Sequence, residues 1–528
     1  MGWIYKTSRE RVGKHLLELG DIEVKAMARE MKLENLSEKK CRRIYGAHVY
    51  TYLQGFPDLA SVPLDCEADF EKFKRTIQAT HLYQREVSRI VEDGKMFDAA
   101  RVHFQGIKLH GLIYRPIQDA EEIAGRGLLL LLVLNDFVDE VFNPAYPKLD
   151  DVSLMGGADI GHAIGTRNGE KGDRELLFLG SPANHAAKIM RPGLLRVAAR
   201  LYGELPCDFK AWCSKQRDGD YQVTVPSQDD LDEALEKYDI KWDSQASAKR
   251  LAEDKKQFPL CDIEYSEAQV KVDFDVLGIR NNKRLEAVSL FADVSGFTAF
   301  IDAADTEAKQ QVALRVLHLI RREMATVVGT DYDGVRVQFQ GDRIQAVFHV
   351  PIGAEAKYCL EAVLASGGLQ SSLEQVIKPM FLQVPEVQAL KLAIGCDNGR
   401  TLGSNLGTRG HRDRICLGRP VENAADREED LEGGQTGISA EMYNELPSAL
   451  QAAFCWDDKS ECYVASNLTA SAIQDYLDAE PIDAGAPVIV RPGSGGTCVK
   501  PTKPGTCGPG IIPVASSYGP GARRGCWE

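Results

Sequence analysis

RVHFQGIKLHGLIYRP, residues 101–116, and RVQFQGDRIQAVFHVP, residues 336–351, are two copies of one segment. Each alternates apolar and polar side chains on both sides of a Gln-Gly turn, the pattern of a strand–turn–strand hairpin. The copies begin 235 positions apart. Three more pairs follow in the same order: YTYLQGF (50–56) with LFADVSGF (290–297), GDRELLFLGSP (172–182) with GHRDRICLGRP (410–420), and RLYGELP (200–206) with EMYNELP (441–447). Their offsets are 241, 238 and 241. Four ordered pairs at nearly constant spacing mark an internal duplication with small loop indels, and the duplication decides the fold.

Working outward, each half spans roughly 200 residues. The boundaries expected are an N-terminal helical arm over 1–39, a first half over 40–225, a helix and linker over 226–283, and a second half over 284–467. A C-terminal helix and a Gly/Pro-rich tail fill 468–528. The linker is charged and helix-prone (DDLDEALEKYDIKW), and the tail (VRPGSGGTCVKPTKPGTCGPG) has no apolar periodicity. Within a half the order is strand, helix pair, hairpin, helix, strand, hairpin, helix. Residues 288–292 read as an apolar strand, 306–328 as an amphipathic helix, 338–350 as the hairpin and 390–396 as another strand. That alternation predicts an α+β class: two tandem ferredoxin-like folds with helices packed on a mostly antiparallel sheet.

Composition sets limits. The chain has 528 residues, 44% of them hydrophobic, which allows sizeable cores. A net charge of -14 argues against a general nucleic-acid binder or a polybasic membrane anchor. The thirteen cysteines form no CxxC or Cys/His metal spacing and read mostly as buried thiols. The start lacks an apolar signal core, and Gly2 with Ser8 misses the myristoylation spacing. The longest apolar run, 128–134, falls short of the roughly 20 residues that span a bilayer. A cytoplasmic protein is expected.

The chemistry is divided between the halves. In the second, Asp293 ends an apolar strand and Asp342 follows the hairpin glycine, Gly341. Carboxylates on adjacent strand ends can hold two divalent ions about 4 Å apart. The loop after Asp293, with Ser295 and Gly296 opening a helix at Phe297, can aim main-chain N–H groups at a triphosphate. That kit suits attack of a ribose hydroxyl on an α-phosphate. In the first half Tyr52 and Ile107 stand at the two carboxylate positions, so no metal is held there in that way. The first half keeps LGSPANHAAK (179–188), where Asn184 and Lys188 share one helix face.

FADVSGFTAF (291–300), the Gly341–Asp342 turn and LGRPVENAADR (417–427) resemble the signature of class III adenylate and guanylate cyclases. The resemblance implies two Mg²⁺ or Mn²⁺ ions held by Asp293 and Asp342 beside Val294, with Phe297 at the substrate. It gives Asn184 to the ribose and Lys188, where the family usually has Arg, to the α-phosphate. Lys has no planar fork, so its contact is less specific in geometry. At the duplicate site either Glu422 and Asp426 or, one residue shifted, Asn423 and Arg427 fill those positions. The halves lose complementary parts, which predicts one productive site per intrachain pseudo-heterodimer. In related purine cyclases the base is read four residues before the hairpin carboxylate and three before the conserved glycine. Here those residues are His103 and Leu177, which match neither the adenine nor the guanine pair. Lys215, in the hairpin between Trp212 and Tyr221, is assigned to the triphosphate.

RRIYGAHVYTYLQGF (42–56), AARVHFQGIKLHGLIYRP (99–116) and GTRNGEKGDRELLFLGSPANHAAK (165–188) resemble the pyrimidine cyclases of Pycsar anti-phage defence. That likeness covers about residues 40–470. It implies cyclic UMP or cyclic CMP as product, UTP or CTP as substrate, and a product-activated effector of membrane or TIR type. Further pairing into a homodimer is left open. A neutral His103 can donate to a uracil carbonyl, which favours UTP. The alternatives are a cytidylate cyclase, an adenylate or guanylate cyclase with unusual readers, and a non-catalytic nucleotide-binding module.

Overall fold

The computed structural model describes residues 2–29, 31–56, 67–117, 119–149, 151–168, 175–408 and 411–479. The Gly/Pro-rich tail from 480 onward and the start of the 172–182 segment lie outside them.

The arm and the first half contain, in order, α1 (Tyr5–Leu19), β1 (Glu23–Ala26), β2 (Lys40–Gln54), α2 (Glu67–Glu92), β3 (Ala100–Gln105), β4 (Lys108–Ile113) and α3 (Ala120–Asp136). It continues with β5 (Ser153–Asn168), β6 (Glu175–Leu179), α4 (Ser181–Lys188), β7 (Leu195–Val197), β8 (Cys213–Lys215) and β9 (Tyr221–Val223). Then come α5 (Ser244–Gln257), β10 (Tyr265–Glu267), β11 (Asn282–Ser295), α6 (Phe297–Asp302), α7 (Glu307–Thr326), β12 (Val335–Gln340), β13 (Arg343–Phe348) and α8 (Glu355–Ser371). The second half closes with β14 (Lys391–Thr408), β15 (His411–Leu417), α9 (Arg419–Asp430), β16 (Gln435–Ile438), β17 (Cys455–Asp457) and β18 (Cys462–Ser466).

The two sheets have the same topology. One runs β3-β4-β2-β5-β7-β9-β8 and the other β12-β13-β11-β14-β16-β18-β17. The first four strands of each are a ferredoxin-like βαββαβ core, so the expected α+β fold is present twice. Pairing is antiparallel along the hairpins and long central strands. It is parallel where β5 meets β7 and β14 meets β16. Strand alternation decides the faces. On β11, Leu290, Ala292 and Val294 join the core under the helices, leaving Phe291 and Asp293 on the other face. The apolar run 128–134 is the interior of α3, and each of its residues is fully buried against the first sheet. No helix among the described residues is long and apolar enough to cross a membrane. Eight cysteines among those residues are free thiols, five of them buried.

The arm and the linker turn out to be built alike. β1 pairs in parallel with the start of β2, and β10 pairs in the same way with β11. The helix before each half crosses to the opposite half. From α1, Val12 and Leu19 enter the second half's core, while Leu251 of α5 enters the first half's. Ser8 Oγ donates to Glu323 Oε1 on α7 at 2.6 Å and Arg11 pairs with the same carboxylate; Ser247 Oγ donates to Glu86 Oε1 on α2 at 2.8 Å and Arg250 pairs with it. Glu86 and Glu323 are essentially inaccessible (0% and 1% exposed), so each needs its serine and arginine. Reciprocal pairs also cross the interface at Arg101–Asp413 (3.2 Å) and Arg336–Glu175 (3.6 Å). Replacing Glu323 by Ala leaves Arg11 facing only Asp331 and is expected to cost about 3 kcal/mol of α1 docking. Limited proteolysis checks this, since α1 should be released much faster in the variant than in the parent chain.

Candidate functional site

β11 and the β12–β13 hairpin deliver the two carboxylates. Asp293 lies near the end of β11, and β13 pairs beside it with Ala292 opposite Ile344. Asp342 follows Gly341, whose φ of 75° is the left-handed conformation that a glycine turn supplies. Burial raises the pKa of both carboxyls. For Asp293, Arg343 opposes that rise, while the charge of Asp293 pushes Asp342 up further. Arg343 does not neutralise the pair. Its Nε sits 2.8 Å from Glu428 on α9, and its guanidinium lies over the Phe291 ring at 4.4 Å. Two half-buried carboxyls that repel one another are short of positive charge, which divalent cations supply. The Val294 side chain is buried in the core, so Val294 offers only its main-chain carbonyl. No group of three or more His, Cys, Asp or Glu side chains suited to a metal occurs among the described residues. A carboxylate pair of this kind leaves the remaining coordination positions to waters and substrate phosphates, the usual arrangement for Mg²⁺.

Gly296 (φ 89°) turns the chain from β11 into α6. Phe297, the first residue of α6, packs its ring edge-on against Phe300 in the core, so only its main chain is left for a ligand. The next residue, Thr298, faces the first half: Asn184 Nδ2 lies 3.5 Å from Thr298 Oγ1. Asn184 and Lys188 line a cavity of about 390 Å³ together with Ser181, His185, Arg200, Asp220, Thr298 and Asp302. The helix face expected from the i, i+4 spacing is therefore the one turned toward the carboxylate half. Buried Asp159 braces it, accepting from His185 Nδ1 at 2.9 Å and pairing with Arg200.

The same brace in the second half settles the register of α9. Asp397 accepts from Asn423 Nδ2 at 2.6 Å and pairs with Arg427 at 3.1 Å. Asn423 thus does the work of His185. Glu422 and Asp426, not Asn423 and Arg427, stand where Asn184 and Lys188 stand. Burial and the neighbouring Glu429 and Asp430 push the Asp426 carboxyl up to about 6. The α9 helix carries Glu422, Asp426, Glu428, Glu429 and Asp430, and Tyr52 and Ile107 stand in the first half at the positions of Asp293 and Asp342.

His103 and Leu177 line one cleft of about 770 Å³, whose walls also include Arg321, Phe339 and Gly341. The two base-reading positions and the Asp342 turn therefore open on the same space. Burial, helped by Lys108, Arg321 and Arg101, drops the His103 pKa to about 3, so the ring is neutral. The Gln105 amide nitrogen lies 3.1 Å from His103 Nε2. Behind it His110 is held between His48 Nδ1 and the Tyr50 hydroxyl, each at 3.0 Å, with Tyr50 stacked on it at 4.1 Å. The second half has Gln338 and Gln345 in the places of His103 and His110.

Lys215 is not brought to either cavity: it is exposed on β8, the edge strand of its sheet. Sequence reasoning missed Thr298, His185, Arg200, Arg321, His48 and His110. A usable signal existed for His110, since the first copy of the hairpin has LHG where the second has IQA.

No protein-family model matches the chain. It is 28% identical over 497 residues to a uridylate cyclase of Pseudomonas aeruginosa, covering 90% of this chain and 92% of that protein. It is 26% identical over 473 residues to a uridylate cyclase of Rhizobium sp., covering 85% of each. Among solved structures, a class III adenylyl cyclase-like ATP-binding protein from Pseudomonas aeruginosa matches with a TM-score of 0.77 and 26% identity. That match covers 90% of this chain and 99% of the other. The two halves are tandem class III cyclase folds, and the chain is similar to nucleotidyl cyclases over most of its length.

Proposed function

We propose that this chain, a nucleotidyl cyclase in fold and in its relatives, converts UTP to 3',5'-cyclic UMP and pyrophosphate. The observation that carries the proposal is the division of labour across one interface. Asp293 and Asp342 stand in the second half, Asn184 and Lys188 in the first, and Asn184 meets Thr298 where the halves join. The ribose 3'-hydroxyl gives up its proton to solvent, its oxygen forms the new bond to the α-phosphorus, and the bond from that phosphorus to the departing pyrophosphate breaks. Divalent ions held by Asp293, Asp342 and the Val294 carbonyl would lower the pKa of the hydroxyl and offset the charge of the pyrophosphate. Asn184 hydrogen-bonds the ribose and fixes the hydroxyl in line. Lys188 balances negative charge growing on the α-phosphate. Main-chain N–H groups at the Gly296–Phe297 turn face the triphosphate.

Uracil is favoured over cytosine on two grounds. Both relatives described above are uridylate cyclases. The neutral His103 has one ring N–H, a donor suited to a uracil carbonyl where cytosine has an amino group. The resemblance to anti-phage cyclases extends the proposal: the cyclic nucleotide is a second messenger read by an effector protein of membrane or TIR type.

The test is incubation of the full chain with Mn²⁺ and each of the four ribonucleoside triphosphates separately, with products resolved by mass. Cyclic UMP is expected as the main product, lost in Asp293→Ala. Cyclic CMP, AMP or GMP in its place would overturn the base assignment while keeping the cyclase. No product from any of the four would favour a non-catalytic nucleotide-binding module.

A further inference from the structure

We infer that Arg321 is a positioning residue that ties the Asp342 turn to the opposite half of the molecule. The inference rests on the proposed role of Asp342. Arg321 sits on α7 and is 3% exposed. One guanidinium nitrogen donates to the Gly341 carbonyl at 2.5 Å. Another pairs with Glu175 on β6, two residues from Leu177. The planar group lies over the Phe339 ring at 4.1 Å. One side chain thus touches the turn that presents Asp342, the hairpin strand leading to it, and the first-half strand on the base side.

The duplication supplies an internal comparison. Helix α2 is the counterpart of α7, with Glu86 matching Glu323, and Gln84 falls at the position of Arg321. Gln84 Nε2 donates to the Gly106 carbonyl at 2.7 Å. The contact to the turn is therefore kept in both halves. Only in the half that bears carboxylates is the side chain at this position a cation that also reaches across the interface. On that side Glu175 meets two arginines, Arg321 and Arg336, whereas its counterpart Asp413 meets Arg101.

The physical need follows from the split site. Asn184 and Lys188 belong to one half and Asp342 to the other, so catalysis depends on how the halves are registered. Gln84 reaches only the turn of its own half, so the side chain at that position carries no information about the opposite half. Arg321 carries it, because its fork spans both. An unpaired cation beside Asp342 would compete with a metal ion, and the Glu175 carboxylate removes that difficulty by neutralising it.

The test is Arg321→Gln in the full chain. This installs the side chain of the duplicate position, retains a donor for Gly341 and leaves Glu175 paired with Arg336. The expected kcat falls about tenfold to a hundredfold while the KM for UTP moves less than about threefold. Mn²⁺ binding in the presence of 3'-deoxy-UTP, followed by electron paramagnetic resonance, should weaken in parallel. Glu175→Gln, which cuts the bridge from the more exposed end, should reproduce both effects and decides the matter if Arg321→Gln does not fold. Wild-type kcat and Mn²⁺ affinity in both Arg321→Gln and Glu175→Gln would overturn the inference. Mn²⁺ binding needs no turnover, so a different base preference in the parent chain leaves that reading intact, with the 3'-deoxy analogue of the preferred nucleotide in place of 3'-deoxy-UTP.

Discussion

Asp342→Asn is expected to lower cyclic-nucleotide formation by about a thousandfold or more, because several kcal/mol of metal-borne charge stabilisation are lost from the transition state. The same substitution should not destabilise the metal-free chain. Burial and the neighbouring Asp293 raise the Asp342 carboxyl well above its ordinary range. A raised carboxyl is bound to its proton more tightly in the folded state than in the unfolded one. Its ionisation therefore costs nothing below the unfolded pKa of about 3.9 and penalises the fold increasingly as pH rises above it. Asparagine has the same shape and no charge to ionise. In a chelator at neutral pH the variant should melt at or above the temperature of the parent, and the difference should vanish below about pH 4. Added Mn²⁺ should raise the melting temperature of the parent and not of the variant. Melting curves at several pH values, with and without Mn²⁺, check all three statements. A variant that keeps a tenth or more of the parent's kcat would remove Asp342 from the reaction.

Lys188→Ala is expected to lower kcat by about a hundredfold to a thousandfold with little change in KM, since it removes a cation whose worth grows as charge builds on the α-phosphate. The protein's own fold provides the control. Asp426 occupies the position of Lys188 on the acidic α9. Asp426→Ala should leave turnover within about twofold of the parent. Lys188→Arg should retain activity, because arginine supplies the same charge with a planar fork for phosphate. Steady-state kinetics on the three variants separate a transition-state cation from a structural lysine. If Lys188→Ala raised KM alone, Lys188 would be binding the ground state as strongly as the transition state.

Much of the architecture was legible in the sequence. The hairpins at 101–116 and 336–351 kept their pattern because alternation and a glycine turn are local requirements of a hairpin. The same locality put Asp293 at a strand end, Asp342 at a turn, and Asn184 and Lys188 on one helix face. The opposite copies have Tyr52 and Ile107 in place of the carboxylates, and Glu422 and Asp426 in place of Asn184 and Lys188. Periodicity could not show the crossing of α1 and α5 to opposite halves. Ser8 and Arg11 reach Glu323, and Ser247 and Arg250 reach Glu86, over separations that no local pattern encodes.

What the sequence determined by itself is the duplication, the α+β class and which half carries the carboxylates, because each depends on residues close together in the chain. The tertiary structure alone decided the rest. It fixed α9 in the register of Glu422 and Asp426, since only the brace of Asn423 on Asp397 distinguishes it from a shift of one residue. It turned the Phe297 ring into the core and left Lys215 on an exposed edge strand. It brought Arg321 to Gly341 and Glu175 at once. Each of those outcomes depends on which surfaces pack together across two sheets, and packing between distant segments is a property of the folded chain rather than of any stretch within it.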